Sequence, residues 1–241
     1  MQFNFANYRV SIGLTLCVWL LPCGAAELSR QGVMTIIAEA GAEQPKLAKK
    51  DLSGLDLSGI DFNKADLFSA NLDGASLKAA RLGGANLNLA RIRHANLQNA
   101  DLAGASLYGV LMDHSDLSGA DLSGSRITGL LNNVNLTGAK LKQADLSATG
   151  EGERKQPALL EMNNAVLNDA DLRGANFNYA LMSNASLRNA DLRGAQFIWV
   201  DMSGANLSGA NVSDTDFRSA RLEGANLDGV KGAETALGFR K

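Results

Sequence analysis

The chain has 241 residues and a formal net charge of −2; 46% of its residues are hydrophobic but only 5% aromatic. Near-neutrality gives no support to nucleic-acid binding through a basic face, and little to a strongly acidic surface imitating a nucleic acid. Cys17 and Cys23 both fall in the first 26 residues. A chain that loses this segment has no thiol for disulfides, thiolate catalysis or cysteine metal sites.

Near the N-terminus Arg9 precedes an apolar run over residues 10–21, followed by Pro22, Cys23, Gly24, Ala25 and Ala26. A positive start, a short apolar middle and a small-residue end predict a secretory signal over residues 1–26, cleaved near Ala26. The run is too short to cross a bilayer, which takes ~20 apolar residues, so no membrane insertion of the mature chain is expected. Export to a bacterial periplasm is the first expectation, with a thylakoid lumen or the extracellular space as alternatives. An uncleaved interfacial anchor and lipidation at Cys23 are the rival readings, and Pro22 stands against the second. Beyond this segment, Leu28, Val33, Met34, Ile36, Ile37 and Ala40 recur at helical spacing, and Pro45 marks the end. Residues 27–50 are therefore expected to form an N-terminal helix and cap for whatever stacks behind them.

From Asp51 a large apolar residue returns at every fifth position, as at Leu52, Leu57, Phe62, Leu67 and Leu72. Two residues before each stands a small one, as at Ala65, Ala70, Ala75 and Ala80. Five fits neither the helical period of 3.6 nor the strand period of 2. A chain that turns a corner every five residues fits: each unit sends one large and one small side chain inward and three outward. Phe177, Phe197 and Phe217 stand twenty residues apart, as do Met162, Met182 and Met202, which predicts four corners per lap and like residues stacked ~4.8 Å apart. Internal repetition of this kind defines a solenoid.

The pattern breaks twice. One residue is missing around positions 129–134, which predicts a tightened corner or a distorted strand. The sixteen-residue step from Leu146 to Met162, one more than three repeats, restores the phase. The polar stretch inside it is read as a loop near 148–161, projecting from the shaft. The solenoid is expected over 51–230 and a C-terminal tail over 231–241.

The quintets Ala65-Asp66-Leu67-Phe68-Ser69 and Ala225-Asn226-Leu227-Asp228-Gly229 resemble the A-(D/N)-L-x-x unit of the pentapeptide-repeat family, across roughly residues 51–230. The resemblance implies an all-β fold, a right-handed parallel quadrilateral β-helix. It implies no single function.

No constellation supports catalysis. The Asp ladders lie on a convex surface without a pocket to dry them, and the serines lack a base with an orienting partner. His94 and His114 share an outward position one lap apart, but two imidazoles without a third ligand make a poor metal site. No catalytic residue, metal or cofactor is therefore expected. The outward aromatics are more informative. Tyr179, Ile198 and Trp199 form a candidate partner patch, and Phe68, Tyr108 and Leu89 a second group assigned to another column. The expectation is an exported, non-enzymatic scaffold binding an unknown protein partner rather than nucleic acid, with its oligomeric state open. The alternative, for a chain that stays in the cytosol, is a gyrase-protecting inhibitor.

Overall fold

A quintet with one large and one small apolar residue settles when the chain turns within the unit, and the backbone does so in almost all of them. The structure, a computed structural model, describes residues 28–148 and 160–239. The residue before each large apolar one pairs in parallel with the residue a lap away, as in Asp51↔Asn71, Asn71↔Arg91 and Asp191↔Asn211. The core residue then opens a turn. Ala70 N donates to Leu67 O at 3.0 Å, and Ser69 between them has a φ of 55°. A positive φ at the third turn residue is the mark of a type II turn.

Two alternative hydrogen bonds account for the Asp or Asn that precedes most core residues. Each turn leaves the N–H of its second residue without a partner in the ladder. Usually the preceding Asp or Asn accepts it, as Asp66 Oδ1 does from Phe68 N at 3.1 Å and Asn176 Oδ1 from Asn178 N at 3.1 Å. Where that position holds Arg81, Arg91, Ser106, Leu181 or Gln196, the acceptor comes from the neighbouring lap. Gly83 N then donates to Asn63 Oδ1, Arg93 N to Asp73 Oδ1, Tyr108 N to Asn88 Oδ1, Ser183 N to Asn163 Oδ1 and Ile198 N to Asn178 Oδ1. At these five units the departure from the repeat is offset one lap earlier, and the N–H keeps an acceptor.

Inside, the large residues stack in four columns. One, the phenylalanine face, runs Leu47, Leu67, Leu87, Leu107, Ile127, Leu146, Phe177, Phe197, Phe217, with all but the last few laps aliphatic. Its rings lie 4.8 Å apart at 5° between Phe177 and Phe197, and 5.4 Å apart at 16° between Phe197 and Phe217. The methionine face follows it, with Met112, Met162, Met182 and Met202 fully buried. The third column is leucine throughout, from Leu57 to Leu227. The fourth includes Phe62, Leu102 and Val212. Where the small inward residue is Ser or Thr, its hydroxyl donates to a backbone carbonyl: Ser115 to Met112 and Thr215 to Leu192, both at 2.7 Å.

The two irregularities fall on the corner that joins the phenylalanine and methionine faces. Here alone among the described residues the chain forms continuous strands: β1 (Ser106–Leu111), β2 (Arg126–Leu130) and β3 (Leu160–Glu161). They pair in parallel in the order β1-β2-β3. Ser106 pairs with Arg126 but Val110 with Gly129, so the missing residue is absorbed between Ile127 and Gly129 and that corner is straightened. Gly129 has a φ of 129°, and a Cβ there would overlap the Val110 carbonyl. Leu131 then takes the core position, 2% exposed, a place the five-residue count passed over. Pairs that span the segment between Leu146 and Met162 are thirty-one residues apart, as in Lys140↔Asp171, eleven beyond a lap. The insertion is therefore residues 149–159, outside the described residues. The loop expected over 148–161 is narrower than that, because Ala148 N donates to Asn178 O at 2.9 Å and Leu160 is fully buried.

The coil also reaches past the expected 51–230. Lys46 pairs with Asp66 and Leu47 is fully buried, so a unit led by Pro45 begins it. At the other end Leu237 pairs with Asp216, and Phe239 packs on Phe217 at 5.1 Å. Ahead of the coil, α1 (Arg30–Ala40) is N-capped by Ser29, whose hydroxyl accepts from Gly32 N at 3.2 Å. Val33 is fully buried, and Leu28, Ile36 and Ile37 pack on the core. Arg30 donates to Asp56 O at 2.6 Å and Ser58 O at 3.0 Å, satisfying two carbonyls of the first lap. The expected export segment lies outside the described residues.

Candidate interaction surface

Nearly every corner among the described residues places its third turn residue at positive φ, a region where a side chain bearing a Cβ is disfavoured. Glycine meets the need at Gly54, Gly74, Gly119 and Gly209, and Asn at Asn99, Asn184 and Asn189. On the corner after the phenylalanine face the same position holds Leu89 (φ 58°), Tyr179 (φ 67°) and Trp199 (φ 59°). No other corner among the described residues places a large aliphatic side chain, Tyr or Trp at positive φ; the imidazoles of His94 and His114 occupy it on the methionine face. Holding such residues there costs on the order of 1–3 kcal/mol each.

These residues gain little from the fold in return. Trp199 is 61% exposed and Tyr179 49%, while Ile198 beside them is half-buried. Leu181, one position ahead of Met182, is also exposed. The candidate patch of Tyr179, Ile198 and Trp199 is thus brought together on two consecutive laps: Tyr179 N donates to Ile198 O at 3.0 Å. Leu181 belongs to it, and the sequence reading missed this because that position is usually a pairing Asp or Asn. Phe68, Leu89 and Tyr108 lie on the same corner several laps earlier, with Phe68, Tyr108 and Ile198 at the second turn position and Leu89, Tyr179 and Trp199 at the third. The separate grouping of the two sets is corrected: five of the exposed large hydrophobic residues, Leu89, Tyr108, Tyr179, Leu181 and Trp199, follow one edge of the rod. Between them Gly109 and Gly129 keep the edge low.

The polar ladders behave differently. Asp171, Asp191 and Asp216 are held below the usual carboxylate range, chiefly by side-chain hydrogen bonds from Arg173, Arg193 and Arg218. Arg173 reaches Asp171 at 2.6 Å and, across a lap, Asp191 at 3.7 Å. These carboxylates stay charged and paired, which suits a ladder and does not suit proton transfer near neutral pH. His94 and His114 do stack, 5.1 Å apart and within 6° of parallel. Among the described residues no group of three His, Cys, Asp or Glu is placed to hold a metal ion, and no helix is long and apolar enough to cross a membrane.

The family model for pentapeptide repeats matches in 8 copies, over residues 51–84, 70–107, 85–129, 165–204 and 195–231. No curated protein matches in sequence. Among solved structures, the plasmid-mediated fluoroquinolone resistance protein QnrB1 is similar with a TM-score of 0.57 at 19% identity, over 72% of this chain and 89% of that one. HetL, a pentapeptide repeat protein involved in heterocyst differentiation regulation in Nostoc sp. strain PCC 7120, is 26% identical over 86% of this chain and 95% of its own, with a TM-score of 0.35. Rfr23 from Cyanothece 51142 is 24% identical over 45% of this chain, with a TM-score of 0.36. That match spans 63% of Rfr23, just under two thirds of its length. The likeness to QnrB1 is one of fold, the right-handed quadrilateral β-helix of such repeats.

Proposed function

The chain belongs to the pentapeptide-repeat family, and on that premise we propose that it is an exported, non-enzymatic scaffold that binds a protein partner through Tyr179, Ile198 and Trp199. Members of this family are generally structural or interaction proteins. The observation that carries the reading is the position of Tyr179 and Trp199: two large rings at positive φ, exposed to solvent, where the repeat most often uses Gly or Asn. Side chains that strain the backbone without packing inside are candidates for contact outside. In the same reading α1 serves as the N-terminal cap, since it covers apolar laps and occupies carbonyls that no preceding lap can reach.

The test exploits the strain. Trp199→Asn relieves the corner, so the variant should fold at least as well as the parent by thermal unfolding while losing its partner in a pull-down from the native compartment. Undiminished capture would remove the patch. Export is tested separately by fractionating cells and sequencing the N-terminus of the mature protein: a chain beginning after Ala26 outside the cytoplasm is expected, and a full-length cytosolic chain would overturn it.

The fold likeness to QnrB1 favours a second reading, a gyrase-protecting inhibitor. The paired ladders weigh against a DNA-like anionic surface, because Arg173 and Arg193 sit on the carboxylates they face. A supercoiling assay separates the two readings.

A further inference from the structure

The apolar ridge ends against two arginines. Trp199 N donates to Arg218 O at 3.2 Å, and Arg221 N to Val200 O at 2.9 Å, so both residues stand on the lap next to that of Trp199. Arg218 grips Asp216 at 2.6 Å and Arg221 reaches Asp201 at 3.3 Å. The two members of each pair are not equally exposed. The side chains of Arg218 and Arg221 are 63% and 64% exposed, against 14% and 22% for Asp216 and Asp201. The carboxylates lie low against the shaft while the guanidinium groups are the more exposed member of each pair. Glu223, 3.8 Å from Arg221, is itself exposed and lies on the far side of Arg221 from the ridge in sequence order.

A segment laid over Trp199 therefore meets ring faces first and guanidinium N–H groups at its rim. Guanidinium forks select carboxylates, and Trp, Tyr and Arg are the residues that dominate binding at protein interfaces. Building on the ridge as a contact surface, we infer that its partner is an acidic-flanked apolar peptide segment. An aromatic or leucine anchor packs on Trp199 and Tyr179, and an Asp or Glu lies on the side of Arg218 and Arg221. An apolar segment with basic flanks is disfavoured at this rim, and one without charge leaves the arginines unused.

The experiment pans a library of random twelve-residue peptides, displayed on phage, against the full chain, the Trp199→Asn variant and the Arg218→Gln, Arg221→Gln double variant. Thermal unfolding first establishes that each variant is folded. Peptides enriched on the parent should carry an aromatic or leucine residue next to Asp or Glu. A synthetic copy of the consensus should bind Trp199→Asn and the double variant roughly tenfold more weakly or worse, the second loss fading as salt is raised. Peptides that bind the parent and Trp199→Asn equally would defeat the ridge itself. Peptides that need Trp199 but show no acidic preference, or bind the double variant as well as the parent, would defeat only the assignment of partner chemistry. Failure to enrich any peptide on the parent would overturn this inference.

Discussion

Two edges of the rod share one backbone and differ in what they carry. On the corner after the leucine face the third turn position reads Gly59, Ala79, Asn99, Gly119, Gly138, Asp169, Asn189, Gly209 and Gly229. On the corner after the phenylalanine face it includes Leu89, Tyr179 and Trp199 at the same positive φ. The columns beneath are alike, buried in both apart from Leu227 on the last lap. The shaft therefore does not require large apolar residues outside, and its turn geometry opposes them. What differs between the two edges lies beyond the demands of folding, and that is where function is to be sought.

The comparison breaks most sharply at Gly129. Here the phenylalanine-side corner has been straightened, and an added Cβ would overlap the Val110 carbonyl. Gly129→Ala should cost about 4 kcal/mol or more, at the upper end for single substitutions, measured by urea unfolding. Gly138→Ala on the leucine side has nothing within 4 Å and should cost only ~1 kcal/mol from its φ of 66°. Equal losses would mean that the straightened corner is not the constraint it looks to be. Inside the shaft the two sides should agree: Leu107→Ala and Leu117→Ala remove equally buried side chains and should each cost ~2–5 kcal/mol. A difference between them larger than that range would show that the faces do not share one core.

Acid should produce a smaller effect. Asp216 is held below the usual carboxylate range by its hydrogen bonds from Arg218. A depressed folded pKa means stability that is present above the unfolded value, near 4, and is lost as pH falls through the lower folded one. The pair is mostly exposed on the Arg side, so the expected contribution is below about 1 kcal/mol. Asp216→Asn should flatten the loss of stability below about pH 4, and an unchanged acid limb would show that the pair adds nothing.

Much of the fold was readable from the sequence because the inward residues are fixed by volume. A shaft that admits one large side chain per unit leaves a five-residue count in plain view, and the stacks of Phe177, Phe197 and Phe217 and of His94 and His114 follow from it. The count failed where register changed. Leu131 was passed over because the preceding unit has four residues. Pro45 hid the first unit by taking the place of the usual small residue. The outward surface was readable only in part, since its residues obey no volume rule. Phe68 and Tyr108 fell outside the corner of Tyr179 and Trp199 because relating the groups requires knowing that the insertion is eleven residues. The rim arginines, Arg218 and Arg221, carry no signal in the repeat at all.

The central claim is that the large side chains on this edge are held against the preference of the fold. Urea unfolding of the triple variant Leu89→Asn, Tyr179→Asn, Trp199→Asn addresses it directly. The variant should match or exceed the parent in stability, by up to a few kcal/mol as three strained corners relax. A variant clearly less stable than the parent would mean that these side chains belong to the packing of the rod, and the edge would lose its claim as a binding surface.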